Sequence, residues 1–179
     1  MSLKTAPDLS STPSSITPPA SAPGSAEEPI DELDRRILAK MQEDCSLNNL
    51  ELAASVHASA PTTLRRVRKL REAGYIEKQV AILAPEKLDA SLTAIVEITL
   101  ENQAAEVLQA FETAMLAESA VLQCYRVSSG ADFIVVVQVR DMNAYHALVH
   151  RAFTASARVR NVRTFFSTHR AKFETRIVL

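Results

Sequence analysis

Long uninterrupted apolar runs are missing from this chain of 179 residues. The longest in its second half, Phe133–Val137, has the length of a strand. A membrane-spanning helix needs about 18 or more apolar residues, so no membrane partner is expected. Lys4 has no apolar stretch behind it, which argues against a secretory signal. Glycine is scarce: with three in all, and no G-x-S-x-G, G-x-G-x-x-G or P-loop pattern, a phosphate-cradling loop is not expected. Cysteine is scarcer still. Cys45 and Cys124 form no CxxC pair, and nothing points to the oxidising compartment that a structural disulfide requires. Both are expected as small buried thiols in a cytoplasmic protein. His146 and His150 have the i,i+4 spacing of two zinc ligands, but no third ligand stands at a supporting distance, so no metal and no cofactor are expected. An excess of one charge is also lacking: the formal net charge is −1, and overall charge therefore says nothing about a nucleic-acid partner.

What is present divides into parts. Residues 1–29 hold six of the eight prolines and ten Ser/Thr, with hardly any large apolar side chain, the composition of a disordered tail that is dispensable for binding. Residues 30–76 read as three helices. The first carries Ile30, Leu33, Ile37, Leu38 and Met41 on one stripe, with Asp31 as cap and Asp34 in the first turn, where the helix dipole favours negative charge. The second opens with Asn48 and Glu51 in an N-x-x-E capping arrangement, followed by Leu50, Leu52, Ala53 and Val56. His57-Ala58-Ser59 is short enough only for a tight turn. The third opens at Ser59, has Pro61 in its first turn and stops at Gly74.

A short helix, a tight turn and a longer helix have the spacing of a helix-turn-helix. With Leu64, Val67 and Leu70 as the buried stripe of the third helix, Thr62, Arg65 and Lys69 are expected to point away from the core, and Arg66 and Arg68 to flank them. Five of the seven residues from Arg65 to Arg71 are basic. Like charges at this spacing repel one another unless phosphates neutralise them, so double-stranded DNA is the expected partner. The competing reading is a solvated charge run with partners such as Glu72. The candidate DNA contacts are Ser59, Thr62, Thr63, Arg65, Arg66, Arg68 and Lys69. Thr62, Arg65 and Lys69 are best placed for bases, and Arg68 for phosphate.

From Tyr75 to Leu83 the pattern turns to period two, as in a strand that serves as wing and link; residues 77–90 form this connection and Pro85 marks a boundary. Residues 91–179 then give a half-buried strand (Leu92, Ala94, Val96, Ile98, Leu100), a helix with Val107, Leu108, Phe111 and Met115 inward, and two strands joined by the Ser128–Asp132 turn. A second helix follows, capped by Asp141, with Met142, Tyr145, Leu148, Val149 and Phe153 inward. A last strand covers Val162–Thr168, and the tail from Arg176 is a candidate addition to it. The fold class expected is thus α+β: an N-terminal winged helix-turn-helix followed by a ferredoxin-like βαββαβ domain. Its helices cover one face of the sheet. Ile95, Phe165 or their neighbours are left on the other, and pairing sheet to sheet in a homodimer would cover them.

The runs "ELAASV…S…TLRRVRKLREAGYI", "LDASLTAIVEITL", "DMNAY" and "VRTF" closely resemble the Lrp/AsnC family over about residues 30–179. The resemblance implies a transcriptional regulator that binds specific DNA through the first domain. It implies assembly into dimers or octamers through the second domain, with an amino acid, leucine or another apolar one, bound between subunits. The effector residues it implies are Ser128, Gly130, Ala131, Asp132 and Met142. There are departures: His57 stands where the family usually has Gly, Ser59-Ala60-Pro61 replaces a Ser-Pro-Thr start, and the glycine of the Val127–Phe133 loop is shifted by one place. Two other readings share the outline. A sirohaem-decarboxylase-like enzyme and an amino-acid-sensing module without DNA binding are both disfavoured, because neither needs a cationic third helix.

Overall fold

The computed structural model describes residues 29–88, 92–154 and 158–179; all but the last residue of the expected tail 1–29 lie outside them. The chain divides between Glu77 and Lys78 into two compact units.

The first unit is three helices, α1 (Glu32–Glu43), α2 (Asn49–Ser55) and α3 (Ala60–Glu72). Each begins at a side chain able to accept from orphan backbone N–H groups. Asp31 and Asp34 form a reciprocal capping box on α1, and Asn48 and Glu51 form one on α2. Ile37, Leu38, Leu52, Val56 and Leu70 make the core, with Ile30, Leu33, Met41, Leu47, Val67 and Ile76 packed around it. Gly74, at φ +79°, ends α3 in the left-handed conformation. The Tyr75 N–H then reaches back to the Leu70 carbonyl at 2.9 Å, which turns Ile76 into the core.

Two expectations fail here. Leu64, expected in the buried stripe of the third helix, is exposed at 51%, as is Leu50 of α2. The strand expected over Tyr75–Leu83 is absent: no strand occurs in this segment, and Val80, Ile82 and Leu83 are exposed. Period-two patterning suits a strand, but a strand forms only where a neighbour completes its ladder of hydrogen bonds. A single 3-10 turn, Pro85–Lys87, follows.

The second unit is β1 (Leu92–Leu100), α4 (Ala105–Ala117), β2 (Val121–Arg126), β3 (Phe133–Val139), α5 (Met142–Leu148) and β4 (Val159–Phe166), with α5 continuing as a π-helical turn, Val149–Thr154. The sheet order is β2-β3-β1-β4, antiparallel throughout, the ferredoxin-like arrangement. Alternation does the sorting. Ala94, Val96, Ile98 and Leu100 of β1 and Phe133, Val135, Val137 and Val139 of β3 face the helices and pack on Phe111, Met115, Tyr145, Leu148 and Phe153. Phe111 and Phe133 rings lie 4.6 Å apart, and Tyr145 meets Phe166 edge-on while its hydroxyl bonds to the Thr164 hydroxyl. No helix of the described residues is long and apolar enough to cross a membrane.

The opposite sheet face bears Tyr125, Ile134, Val136, Ile95 and Phe165, joined across the strands by the pairings Tyr125–Ile134, Val136–Ile95 and Ile95–Phe165. Tyr125, Ile95 and Phe165 are exposed, as the alternation predicts. The tail from Arg176 adds no strand. Met142, expected to point inward, is exposed. Cys45 is exposed as well, beyond the end of α1, whereas Cys124 is half-buried on the helical side of β2.

Candidate nucleic-acid interface

The turn between α2 and α3 is held by a small set of polar contacts. α2 ends at Val56, and His57 takes the left-handed conformation at φ 55°. Ser59 then caps α3: its hydroxyl oxygen accepts from the Thr62 N–H at 3.4 Å and its O–H bonds to the Thr62 hydroxyl at 2.8 Å. Asn49 was not a candidate in the sequence, yet its side-chain amide donates to the Ala60 carbonyl at 2.9 Å and ties the start of α2 to the start of α3. A second asparagine after the Asn48 cap is its only trace in the sequence.

α3 buries a stripe rotated from the expected one. Thr63 and Leu70 are inside, Val67 and Arg66 are half-buried, and Leu64 lies outside. The Thr63 hydroxyl donates to the Ser59 carbonyl at 3.1 Å, which lets a polar side chain stand at zero exposure. Thr63 is therefore packed beneath the helix and unable to reach a base. Arg66 is turned inward too. Its Nη1 lies 2.7 Å from Asp31 Oδ2 and 3.0 Å from Asp34 Oδ2, and Asp34 is buried. The Asp34 backbone N–H and then the Arg66 guanidinium hold the Asp31 carboxyl below its ordinary range, against an opposing contribution from desolvation.

With those two removed, Arg65, Arg68 and Lys69 stand exposed on the outward side of α3, with Thr62 half-exposed and Ser59 exposed at its N-terminal end. That is a cationic helix face preceded by two hydroxyl-bearing residues bonded to each other, the chemistry that contacts phosphates and base edges of duplex DNA.

The second set of candidates surrounds the β2–β3 turn. The Val127 N–H donates to the Asp132 carbonyl at 3.0 Å and the Asp132 N–H to the Ile98 carbonyl at 2.9 Å. The Asp132 carboxylate accepts from the Leu100 N–H at 2.7 Å, so one of its oxygens finishes the ladder of the adjacent strand. Gly130 sits at φ +84° with nothing within 4 Å of where a Cβ would be. Ser128 and Gly130 are exposed, and Ala131 and Asp132 half-buried. Met142 is not brought to this turn. It follows the far end of β3, whose seven residues span roughly 20 Å.

A three-helix unit with a cationic third helix, joined to a ferredoxin-like unit, defines a helix-turn-helix DNA-binding protein with an added α+β domain. Residues 30–77 match the winged helix-turn-helix DNA-binding family and residues 93–177 the Lrp/AsnC ligand binding domain family. The leucine-responsive regulatory protein of Escherichia coli K12 is 35% identical over 150 residues, covering 84% of this chain and 92% of that protein. An uncharacterized HTH-type transcriptional regulator of Haemophilus influenzae is 33% identical over 150 residues, 84% of this chain and 89% of its own length. Among solved structures, an AsnC family transcriptional regulator from Agrobacterium tumefaciens superposes with a TM-score of 0.78 at 33% identity, over 83% of this chain and 97% of that one. A transcriptional regulator from Neisseria meningitidis, solved as its complex with L-Met, gives 0.78 at 26% identity, over 84% and 97%. The chain belongs to the Lrp/AsnC family of transcription regulators.

Proposed function

We propose that this chain is a cytoplasmic, sequence-specific DNA-binding regulator rather than an enzyme, and that an amino acid bound between its subunits changes its assembly or its affinity for DNA. The observation that carries the reading is the exposed face of α3, where Arg65, Arg68 and Lys69 stand clear of the core. Residues 30–76 bind DNA, 77–90 connect, and 91–179 assemble and take the effector. Arg65, Lys69 and Thr62 read base edges, while Arg68 and Ser59 meet the backbone. A homodimer, alone or built into an octamer, presents two copies of α3 to successive major grooves, so half-sites fall ~34 Å or a multiple apart. The apolar sheet face of Tyr125, Ile134, Val136, Ile95 and Phe165 supports pairing with a second copy.

The effector reading takes support from two relatives, one named for leucine and one solved with L-Met. Leucine or another apolar amino acid is the favoured ligand. The separation of Met142 from the Ser128–Asp132 turn favours a site shared by two copies, in which the turn of one faces Met142 of the other. A ligand of this kind changes output only by preferring one assembly or geometry.

Selection of bound duplexes from a random pool, followed by affinity measurement on the selected sequence, tests the reading. Arg65→Ala should cost about 1–3 kcal/mol of discrimination, roughly 5- to 150-fold, with folding intact. A pool that yields no preferred sequence, or an Arg65→Ala protein with the affinity of the parent, would overturn it. Titration of the same protein with each amino acid tests the effector separately.

A further inference from the structure

The charges of the second unit are sorted along the chain. Residues 78–157 carry five Lys/Arg against nine Asp/Glu. Residues 158–176 carry six, Arg158, Arg160, Arg163, Arg170, Lys172 and Arg176, against the single side chain of Glu174. All six are exposed, and they follow β4 and the segment after it. β4 is an edge strand. Its ladder extends as far as the Ser167 N–H, which donates to the Thr93 carbonyl at 2.9 Å.

The ion pairs of Arg163 and Arg170 neutralise little of this charge. Arg163 lies 3.8 Å from Glu97 and Arg170 3.6 Å from Glu86, both pairs well exposed. Solvated pairs of that length contribute little and leave most of the local potential in place. The Arg163 and Arg170 guanidinium groups also lie over the Phe165 and Phe173 rings, at 4.8 and 5.1 Å, which restricts the side chains without neutralising them. Charged side chains on a sheet edge also blunt it against aggregation, but that role does not call for an excess of one sign. Six against one is a field. Arg163 shares its sheet face with Phe165, which pairing with a second copy would cover; the charge left to face outward is that of Arg158 and Arg160 at the start of β4 and of Arg170 and Lys172 after it, opposite a polymer that carries one charge per ~1.7 Å of duplex.

We propose that β4 and the segment after it form a second DNA-contact surface, blind to sequence, which takes the phosphates of duplex flanking the bound operator. The proposal rests on the DNA-binding reading above and adds to it a contact made by the assembly domain. Its consequence is an affinity that grows with duplex length beyond the operator itself.

The test uses the full chain, the selected operator in a duplex of about 20 bp and the same operator centred in about 100 bp. Arg158→Gln/Arg160→Gln/Lys172→Gln is compared with wild type and with the charge-keeping Arg158→Lys/Arg160→Lys. On the long duplex the glutamine variant should lose about tenfold at ~0.15 M salt, and its slope of log K against log salt should fall by about two to three. On the short duplex it should match wild type, and the lysine variant should match wild type on both. Thermal melting and light scattering establish folding and mass; where the triple variant fails to fold, Arg158→Gln alone should lower the slope by about one. An unchanged slope in a folded variant overturns the proposal. So does an altered mass with an unaltered slope, which would make the strip a contact between copies. Wild type that binds no duplex would overturn the DNA-binding reading and this one with it; wild type and variant binding both lengths alike overturns this one alone.

Discussion

Arg66 of α3 and Asp34 of α1, 32 residues apart in sequence, meet at 3.0 Å inside the three-helix unit. Asp34 is buried, and neither its Oδ1 nor Arg66 Nε has a hydrogen-bond partner among the described residues. An ion pair satisfied on one side only is a poor source of net stability but is costly to break, because removal of one partner leaves a charge in the interior. It therefore fixes how α3 sits on α1. Arg66→Ala is expected to lower stability by about 2–3 kcal/mol, less than the ~3–5 kcal/mol of a fully buried pair because Arg66 keeps some solvent contact. Urea unfolding measures this. The double variant Asp34→Ala/Arg66→Met should lose much less than the two single losses combined. If Arg66→Ala left stability unchanged but lowered the salt slope of DNA binding, Arg66 would be a phosphate contact after all.

His57 takes φ 55° in the turn before α3, where L side chains are strained. The left-handed conformation costs a residue with a Cβ about 1–2 kcal/mol, and glycine adds back about 0.5–1 kcal/mol through the entropy of the unfolded chain. His57→Gly should therefore stabilise the first unit by roughly 0.5–1 kcal/mol, and His57→Val should destabilise it. A Tm that falls on His57→Gly would show that the imidazole makes a compensating contact.

Most of the first unit was legible because caps are local. Asp31, Asn48 and Ser59 each announce a helix through a side chain that bonds to N–H groups two or three residues on. The error on α3 came from reading burial off hydrophobicity. Leu64 and Thr63 are neighbours, and the apolar one was placed inside. The fold buries Thr63, which answers its own hydroxyl through Ser59, and leaves Leu64 out. That rotation turns Arg66, expected beside the outward face, towards Asp34. The Tyr75–Leu83 strand failed for a different reason: alternation is a property of the segment, whereas a ladder belongs to a pair. The separation of Met142 from Asp132, by contrast, follows from the strand expected between them, because an extended run over Phe133–Val139 holds its two ends roughly 20 Å apart whichever way it points.

Glu118, at the end of α4, receives both Nε and Nη2 of Arg151 at 2.7 and 2.8 Å. The Arg151 hydrogen bonds, opposed by desolvation, hold the Glu118 carboxyl below its ordinary value. A carboxyl depressed in the folded state adds stability that is complete above the unfolded value, 4.5, and is lost as pH falls through the folded value. Arg151→Gln should accordingly cost up to about 1 kcal/mol at neutral pH, since Arg151 is half-exposed. The difference from wild type should shrink steadily below pH 4.5. Stability curves for the two proteins over that range check it, and a difference that persisted unchanged into acid would show that the loss came from packing.

The two cysteines should separate by reactivity. Burial, and then the nearby Glu112 carboxylate, push the Cys124 thiol up to about 11. At pH 8 its thiolate fraction is on the order of one in a thousand, and the thiolate is the form that attacks. Cys45 lies exposed between Asp44 and Ser46, whose backbone and hydroxyl bonds to the Asp44 carboxylate, at 2.8 and 2.6 Å, shape the loop without covering the thiol. A disulfide reagent at pH 8 should therefore label one thiol per chain quickly in the native protein and two in urea. Cys45→Ser should abolish the fast phase. Because Cys124 lies on the helical side of β2, against the core built on Phe111 and Phe133, its labelling should track unfolding of the second unit. Two thiols reacting at equal rates in the native protein would mean that β2, an edge strand, opens readily from β3.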